Sequence, residues 1–198
     1  MRSTALFFSV AMTAIFVQNL AMMYMLVSDV FVRVVRTPRT WLKYGLAITM
    51  YTTLASALAW VLNRFVLLPF GVDWLSPFAF ILVIVALELM AEVVLRRFAP
   101  GIREKLGSLL PASAFNCAVL GLLFINVQMN TRSIFGTVYY GFFAGVGFLA
   151  ALFISASAME RAAYSTPPKA FRGLPIAFIT AGIISLAFMG FYNIRIPF

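Results

Sequence analysis

Long apolar runs separated by short polar segments set the plan of this chain. Crossing a hydrocarbon layer of about 30 Å takes about 20 helical residues. Runs of that order fall at roughly 4–27, 45–69, 77–95, 108–127, 136–158 and 174–192. The pattern predicts an all-α integral membrane protein with six transmembrane helices in a single domain, residues 1–198. The first run continues past signal-peptide length and lacks a small-residue cleavage site, so it is expected to remain as a span.

The first span is also too long to be straight and uninterrupted. From Thr4 to Val35 its polar side chains are chiefly Ser9, Thr13, Gln18, Asn19, Ser28, Asp29 and Arg33. As one helix of about 32 residues it would reach about 48 Å. A tilt or break is required, and Gln18-Asn19 is where freed backbone groups could find partners. Three short matches then recur at nearly one spacing. Asn19-Leu20-Ala21 resembles Asn116-Cys117-Ala118, Tyr44-Gly45 matches Tyr140-Gly141, and Pro77-Phe78-Ala79-Phe80-Ile81 matches Pro175-Ile176-Ala177-Phe178-Ile179. They pair span one with four, two with five and three with six. Because each repeat holds an odd number of spans, the halves (about 4–95 and about 108–192) cross in opposite senses: a 3+3 inverted repeat. Pro111 lies shortly before Asn116, so broken helices are expected at spans one and four, with Asn19, Asn116 and Cys117 at membrane depth.

Composition supports the lipid reading and narrows the chemistry. The chain is 63% hydrophobic and 11% charged, against about 25% charged in soluble domains. It has no His and one Cys, which excludes a histidine proton relay, a Ser/His/Asp triad, an internal disulfide and a self-contained Cys cluster. The net charge of +9 would suggest nucleic acid until it is located. Arg33, Arg36, Arg39 and Lys43, then Arg96, Arg97, Arg103 and Lys105, then Arg161, Lys169 and Arg172 fall in alternate loops, leaving Arg2, Arg64, Arg132 and Arg195 opposite. The positive-inside rule accounts for that asymmetry with both termini outside and no nucleic-acid partner.

Few residues could carry chemistry. Glu88 and Glu92 lie on one face of span three and Arg96 continues it. Glu92 reads as the ion-pair partner of Arg96. Glu88 is about 12 Å deeper than Arg96, where a carboxyl group serves either an ion or proton pathway or a fixed interhelical bond. Gly141, Gly145 and Gly147 read as sites of close helix approach. Cys117 by itself reads as a small, buried packing residue, and Asp29 as a partner of Arg33.

Leu110-Pro111, Asn116-Cys117-Ala118-Val119-Leu120-Gly121, Tyr140-Gly141-Phe142, Gly145-Val146-Gly147 and Phe171-Arg172-Gly173-Leu174-Pro175 through Phe191 resemble the RnfA/NqrE family along essentially the whole chain. The resemblance implies a six-span, non-catalytic subunit of Rnf or Na+-translocating NADH:quinone reductase complexes in a bacterial or archaeal cytoplasmic membrane. Its implied partners are an oppositely oriented homologue (RnfE/NqrD-like) and the other redox subunits, besides the bilayer. It further implies a [2Fe-2S] cluster held between the pair, each member giving two Cys. Cys117 matches the second position, with Asn116 and Asn19 flanking the site, while Asp29 stands where the first Cys is expected. Either the Asp29 carboxylate, a harder donor than thiolate, ligates iron, or the cluster is absent. The competing expectation is a small inverted-repeat transporter or channel without a redox centre, using Glu88 as its ion site; a third is a membrane scaffold for catalytic subunits.

Overall fold

The computed structural model describes residues 8–17, 19, 40–107, 109–128, 133–164, 168 and 171–190, and among them there is helix and turn but no strand. Four helical stretches are long and apolar enough to span a membrane: Thr40–Phe70, Asp73–Phe98, Leu109–Val127 and Ile134–Ala162; Pro175–Met189 is a shorter apolar helix. These correspond to the second through sixth predicted runs. Of the first run, 8–17 and 19 are described.

Helix α1 comprises residues 8–12 and a π-helical turn, Thr13–Val17. Helix α2, Thr40–Leu62, continues through a second π turn, Asn63–Leu67, and ends at Leu68–Phe70. Gly71 closes it at φ +64°, a conformation that favours glycine. Then follow α3 (Ser76–Phe98), the short α4 (Pro100–Leu106), α5 (Leu109–Ala114), α6 (Cys117–Gln128), α7 (Ile134–Tyr164) and α8 (Leu174–Met189).

The antiparallel pair α2 and α7 forms the most extensive contact. Lipid tails are as apolar as the helix surfaces, so tight van der Waals packing must hold helices together, and small residues make it possible. A Cβ on Gly145 would lie 2.7 Å from Thr49 Cα, and one on Gly141 would lie 2.9 Å from Ser56 Cβ. On the next face of α7, a Cβ on Gly147 would lie 3.0 Å from Ile15 Cα of α1. The predicted close approach at these glycines is therefore present, and it seats α7 against both α1 and α2.

Hydroxyls along these helices are satisfied locally. Thr49 Oγ1 donates to Gly45 O at 2.8 Å, Ser155 Oγ to Ala151 O at 2.7 Å and Thr180 Oγ1 to Ile176 O at 2.7 Å. The back-bonding hides polar atoms from lipid without a partner helix. Helix α3 sits at the edge: 28% of its spanning window is buried, against 50% for α2. Phe78, Leu82, Leu89 and Val93 face outward from it.

Replacing Gly145 with Val should lower the midpoint of thermal unfolding in detergent, at a cost of about 1–3 kcal/mol typical of overpacking. Gly182→Ala, where nothing lies within 4 Å of the added carbon, should leave the midpoint unchanged or higher. Equal midpoints for wild type and Gly145→Val would refute the close-packing account.

Candidate functional site: the helix break at Asn116

Span four is interrupted where the sequence predicts, though not at its proline. Pro111 lies in the first turn of α5, where its missing N–H costs nothing, and Phe115 N donates to Pro111 O at 3.0 Å. The helix ends at Ala114 and a new one begins at Cys117. Asn116 makes the interruption tolerable. Its Oδ1 accepts from Ala118 N at 2.7 Å, as a capping Asn does for the first turn of a helix. Its Nδ2 donates to Tyr44 Oη at 2.9 Å. Tyr44 Oη in turn donates to Ala112 O at 3.0 Å. In an unbroken helix Ala112 O would receive the N–H of residue 116, so the tyrosine replaces the bond that the break removes.

The described end of α1 follows the same logic. Asn19 is buried and non-helical. Its Nδ2 donates to Ile15 O at 2.8 Å and to Gly147 O at 2.9 Å. The π turn before it and the bond to Ile15 mark the end of regular helix. Asn19 and Asn116 each follow the end of a regular helical stretch, Asn19 donating to carbonyl oxygens and Asn116 capping an N–H of the next helix. Their surroundings differ: Asn19 is fastened to α7, whereas Asn116 is fastened to α2.

Cys117 corrects one expectation. It is exposed, not buried, although Asn116 and Ala118 on either side are buried. Because it opens α6, the chain turns its side chain away from the core just where Asn116 turns inward. It lies midway along the 19-residue span Leu109–Val127, with the positive end of the α6 dipole beside it. Asp29 lies outside the described residues, as do Gln18, Ser28, Arg33, Arg36 and Arg39. Among the described residues no three His, Cys, Asp or Glu side chains gather as a metal site. A single Cys sulfur at an exposed helix start fits a centre completed by another chain, and does not fit one held by the described residues alone.

Glu88 lies apart from that break. It is buried, 9% exposed, and accepts a hydrogen bond from the Tyr51 hydroxyl of α2. Of its two expected uses, the fixed interhelical bond is present. Glu92 behaves as predicted toward Arg96, at 2.8 Å, and also receives Arg103 of α4 at 2.7 Å. The hydrogen bond and charge of Glu92 hold the Arg103 guanidinium above its ordinary pKa. That second partner could not be read from helical spacing, because α4 folds back only after the turn at Ala99.

Sequence reasoning missed Tyr51 and the pair Ser56 and Asn126. Asn126 Nδ2 donates to Ser56 Oγ at 2.9 Å, joining α6 to α2. The signal was available: an Asn within the run Leu122-Leu123-Phe124-Ile125-Asn126-Val127 is expensive in lipid unless it has an internal partner.

Residues 7–195 match the family described as Rnf-Nqr subunit, membrane protein. The chain is 41% identical over 178 residues, 90% of its own length and 92% of the relative's, to the A-type subunit of the ion-translocating oxidoreductase complex of Syntrophotalea carbinolica. The A-type subunits of the same complex from Yersinia enterocolitica and Yersinia pseudotuberculosis are 42% and 43% identical over 161 residues, 81% of this chain and 83% of each relative. Matched across nearly all its length, with its spanning helices and the break at Asn116-Cys117 in place, the chain belongs to the Rnf-Nqr family of membrane subunits.

Proposed function

We infer that this chain is the A-type membrane subunit of an ion-translocating oxidoreductase complex of Rnf type. It acts as a non-catalytic part that helps carry electrons across a bacterial or archaeal cytoplasmic membrane. The observation that carries this reading is the match over 90% of the chain to a relative so named. Its two halves form an inverted repeat, about 4–95 and about 108–192, and its termini lie outside. Lys43, Arg96, Arg97 and Arg103 mark the cytoplasmic end, following the positive-inside rule.

The partner is a homologue of opposite orientation in the membrane, and between the two lies a [2Fe-2S] centre to which this chain contributes Cys117. The exposure of Cys117 at the start of α6 supports this, since a thiol shared between chains has to leave its own core. Such a centre supplies one-electron transfer when bound. This chain's own residues orient and insulate. Asn116 and Tyr44 fix the break so that Cys117 keeps one direction. Asp29 is the second ligand this chain offers.

Substituting Cys117 with Ser in the assembled complex should remove one iron–sulfur signal from the EPR spectrum of the reduced sample and lower its iron content. An unchanged spectrum and iron content would overturn the role given to Cys117. In the wild-type chain Cys117 should react readily with a maleimide when isolated and slowly within the complex; equal rates would contradict a shared interface.

Glu88 serves in this reading as a structural bond to Tyr51. Tyr51→Phe leaves the buried carboxyl without that donor, at a cost of about 1–3 kcal/mol, readable as a lower unfolding midpoint. Glu88→Gln keeps an acceptor for Tyr51 and should retain ion movement in vesicles. If Glu88→Gln assembled normally but abolished ion movement, Glu88 would belong to the ion path instead.

A further inference from the structure

An open apolar groove of about 800 Å³ runs between α2 and α3, within the range of about 300–1,000 Å³ that small-molecule sites occupy. Ile102 and Leu106, on one face of α4, close it at the basic end. The ion pair of Arg103 with Glu92 at 2.7 Å holds α4 in that place. On α2 the lining extends from Lys43 to Leu58, about 22 Å of helix. One leaflet of a hydrocarbon core is about 15 Å deep, so the groove can take an acyl chain over the whole of a leaflet.

Charge selects what fills it. The walls expose no polar atom, and the one charged residue of the lining is Lys43. Its aliphatic stem therefore joins the wall while its ammonium stands at the rim, in the polar layer. Lys43 is exposed and makes no ion pair among the described residues. Glu92 is already held by Arg96 and Arg103, and no acid lines the groove. An apolar slot with an unpaired cation at its mouth complements a hydrocarbon tail that carries an anionic head.

The shape of the rims argues for a chain and against a helix. Leu46, Met50 and Leu54 of α2 and Met90 and Val94 of α3 are exposed along the two edges, while Ala47 and Ala91, half-buried, give the slot its depth. Helices in lipid seat on one another through small residues, as α7 does on α2 at Gly141 and Gly145. Bulky, adaptable rims suit a flexible occupant.

We propose that this groove is a binding site for an anionic phospholipid, with one acyl chain lying between α2 and α3 and the headgroup phosphate paired with the Lys43 ammonium. A zwitterionic lipid covers the same carbon surface but brings its own cation against Lys43. Tyr51 and Leu87 belong to the lining, so the lipid covers the seam that the Tyr51–Glu88 bond joins and braces α3, the edge helix.

The test measures lipid binding to the purified full chain in detergent by native mass spectrometry, comparing phosphatidylglycerol and phosphatidylcholine of identical acyl chains. The first phosphatidylglycerol should bind roughly fivefold tighter than phosphatidylcholine, as one lysine beside an anionic headgroup gives. Lys43→Gln should bring that ratio near one. Arg97→Gln, an exposed position at the same end but outside the lining, should leave it unchanged. Ala91→Phe, which fills the groove, should weaken both lipids; if it does not fold, the two exposed variants decide alone. Equal affinities in the wild type, or an equal drop in Lys43→Gln and Arg97→Gln, would overturn the site in favour of general attraction to a basic surface. The bound phosphatidylglycerol should also persist in the assembled complex, and its loss on assembly would overturn the lipid in favour of a neighbouring subunit. Each of these failures leaves the family assignment standing.

Discussion

Lipid offers no hydrogen bonds, so every backbone and side-chain polar group within the bilayer has to be answered from inside the protein. Much of the structure follows from that constraint. Threonines and serines along α2, α7 and α8 turn their hydroxyls back onto their own helices. Where a helix is interrupted the demand is harder, because a whole turn loses its partners. Tyr44 and Asn116 meet it together: the amide caps α6 and the phenol takes the abandoned Ala112 carbonyl. Without such a pair the break would relax to continuous helix, and Cys117 would take whichever direction the helical period gave it.

The same constraint explains why α2 and α7 are so closely joined. Tyr44, Tyr51 and Ser56 all project from α2, and they reach Asn116, Glu88 and Asn126 respectively. Each bond needs α2 at a fixed distance from α3, α5 and α6. Gly141 and Gly145 hold α7 directly against the face of α2 that carries Thr49, Thr52 and Ser56, so α2 cannot rotate without backbone collision. A helix locked along that face presents its neighbouring side chains, Tyr44 and Tyr51 among them, in fixed directions. The small residues of α7 thus act at a distance on the position of Cys117, through α2 and Tyr44.

The sequence carried the second to fifth spans, the glycine contacts and the break in span four, because each leaves a local mark: an apolar run, a small residue in a periodic series, an Asn in hydrocarbon next to a repeat match. The ends of the helices were less readable. Helix α2 starts at Thr40 and α7 runs to Tyr164, beyond the apolar runs that announced them, since a helix continues into the polar interface while hydropathy falls. The second partner of Glu92 and the donor to Glu88 were invisible, because Arg103 and Tyr51 arrive from other elements and tertiary contacts have no fixed spacing. The burial expected for Cys117 failed for a physical reason: the preference of free Cys for the interior is an average. A residue at the first position of a new helix takes its direction from the break, not from its hydrophobicity.

That direction bears on the shortage of cysteines. Asn116 and Ala118 point into the core while Phe115 and Cys117 point out, so the turn presents one thiol and one aromatic ring on the outer surface at membrane depth. A phenylalanine there meets lipid or another helix at no cost. A thiol meeting lipid alone would have nothing to do that an alanine could not. The rigid support behind it, from the α7 glycines through α2 to Tyr44 and Asn116, would likewise be superfluous for a residue that merely faces hydrocarbon. In the proposed complex, a chain built this way would hold a single ligand steady for a neighbouring subunit, and a shared centre would require no more than that from the described part of this one.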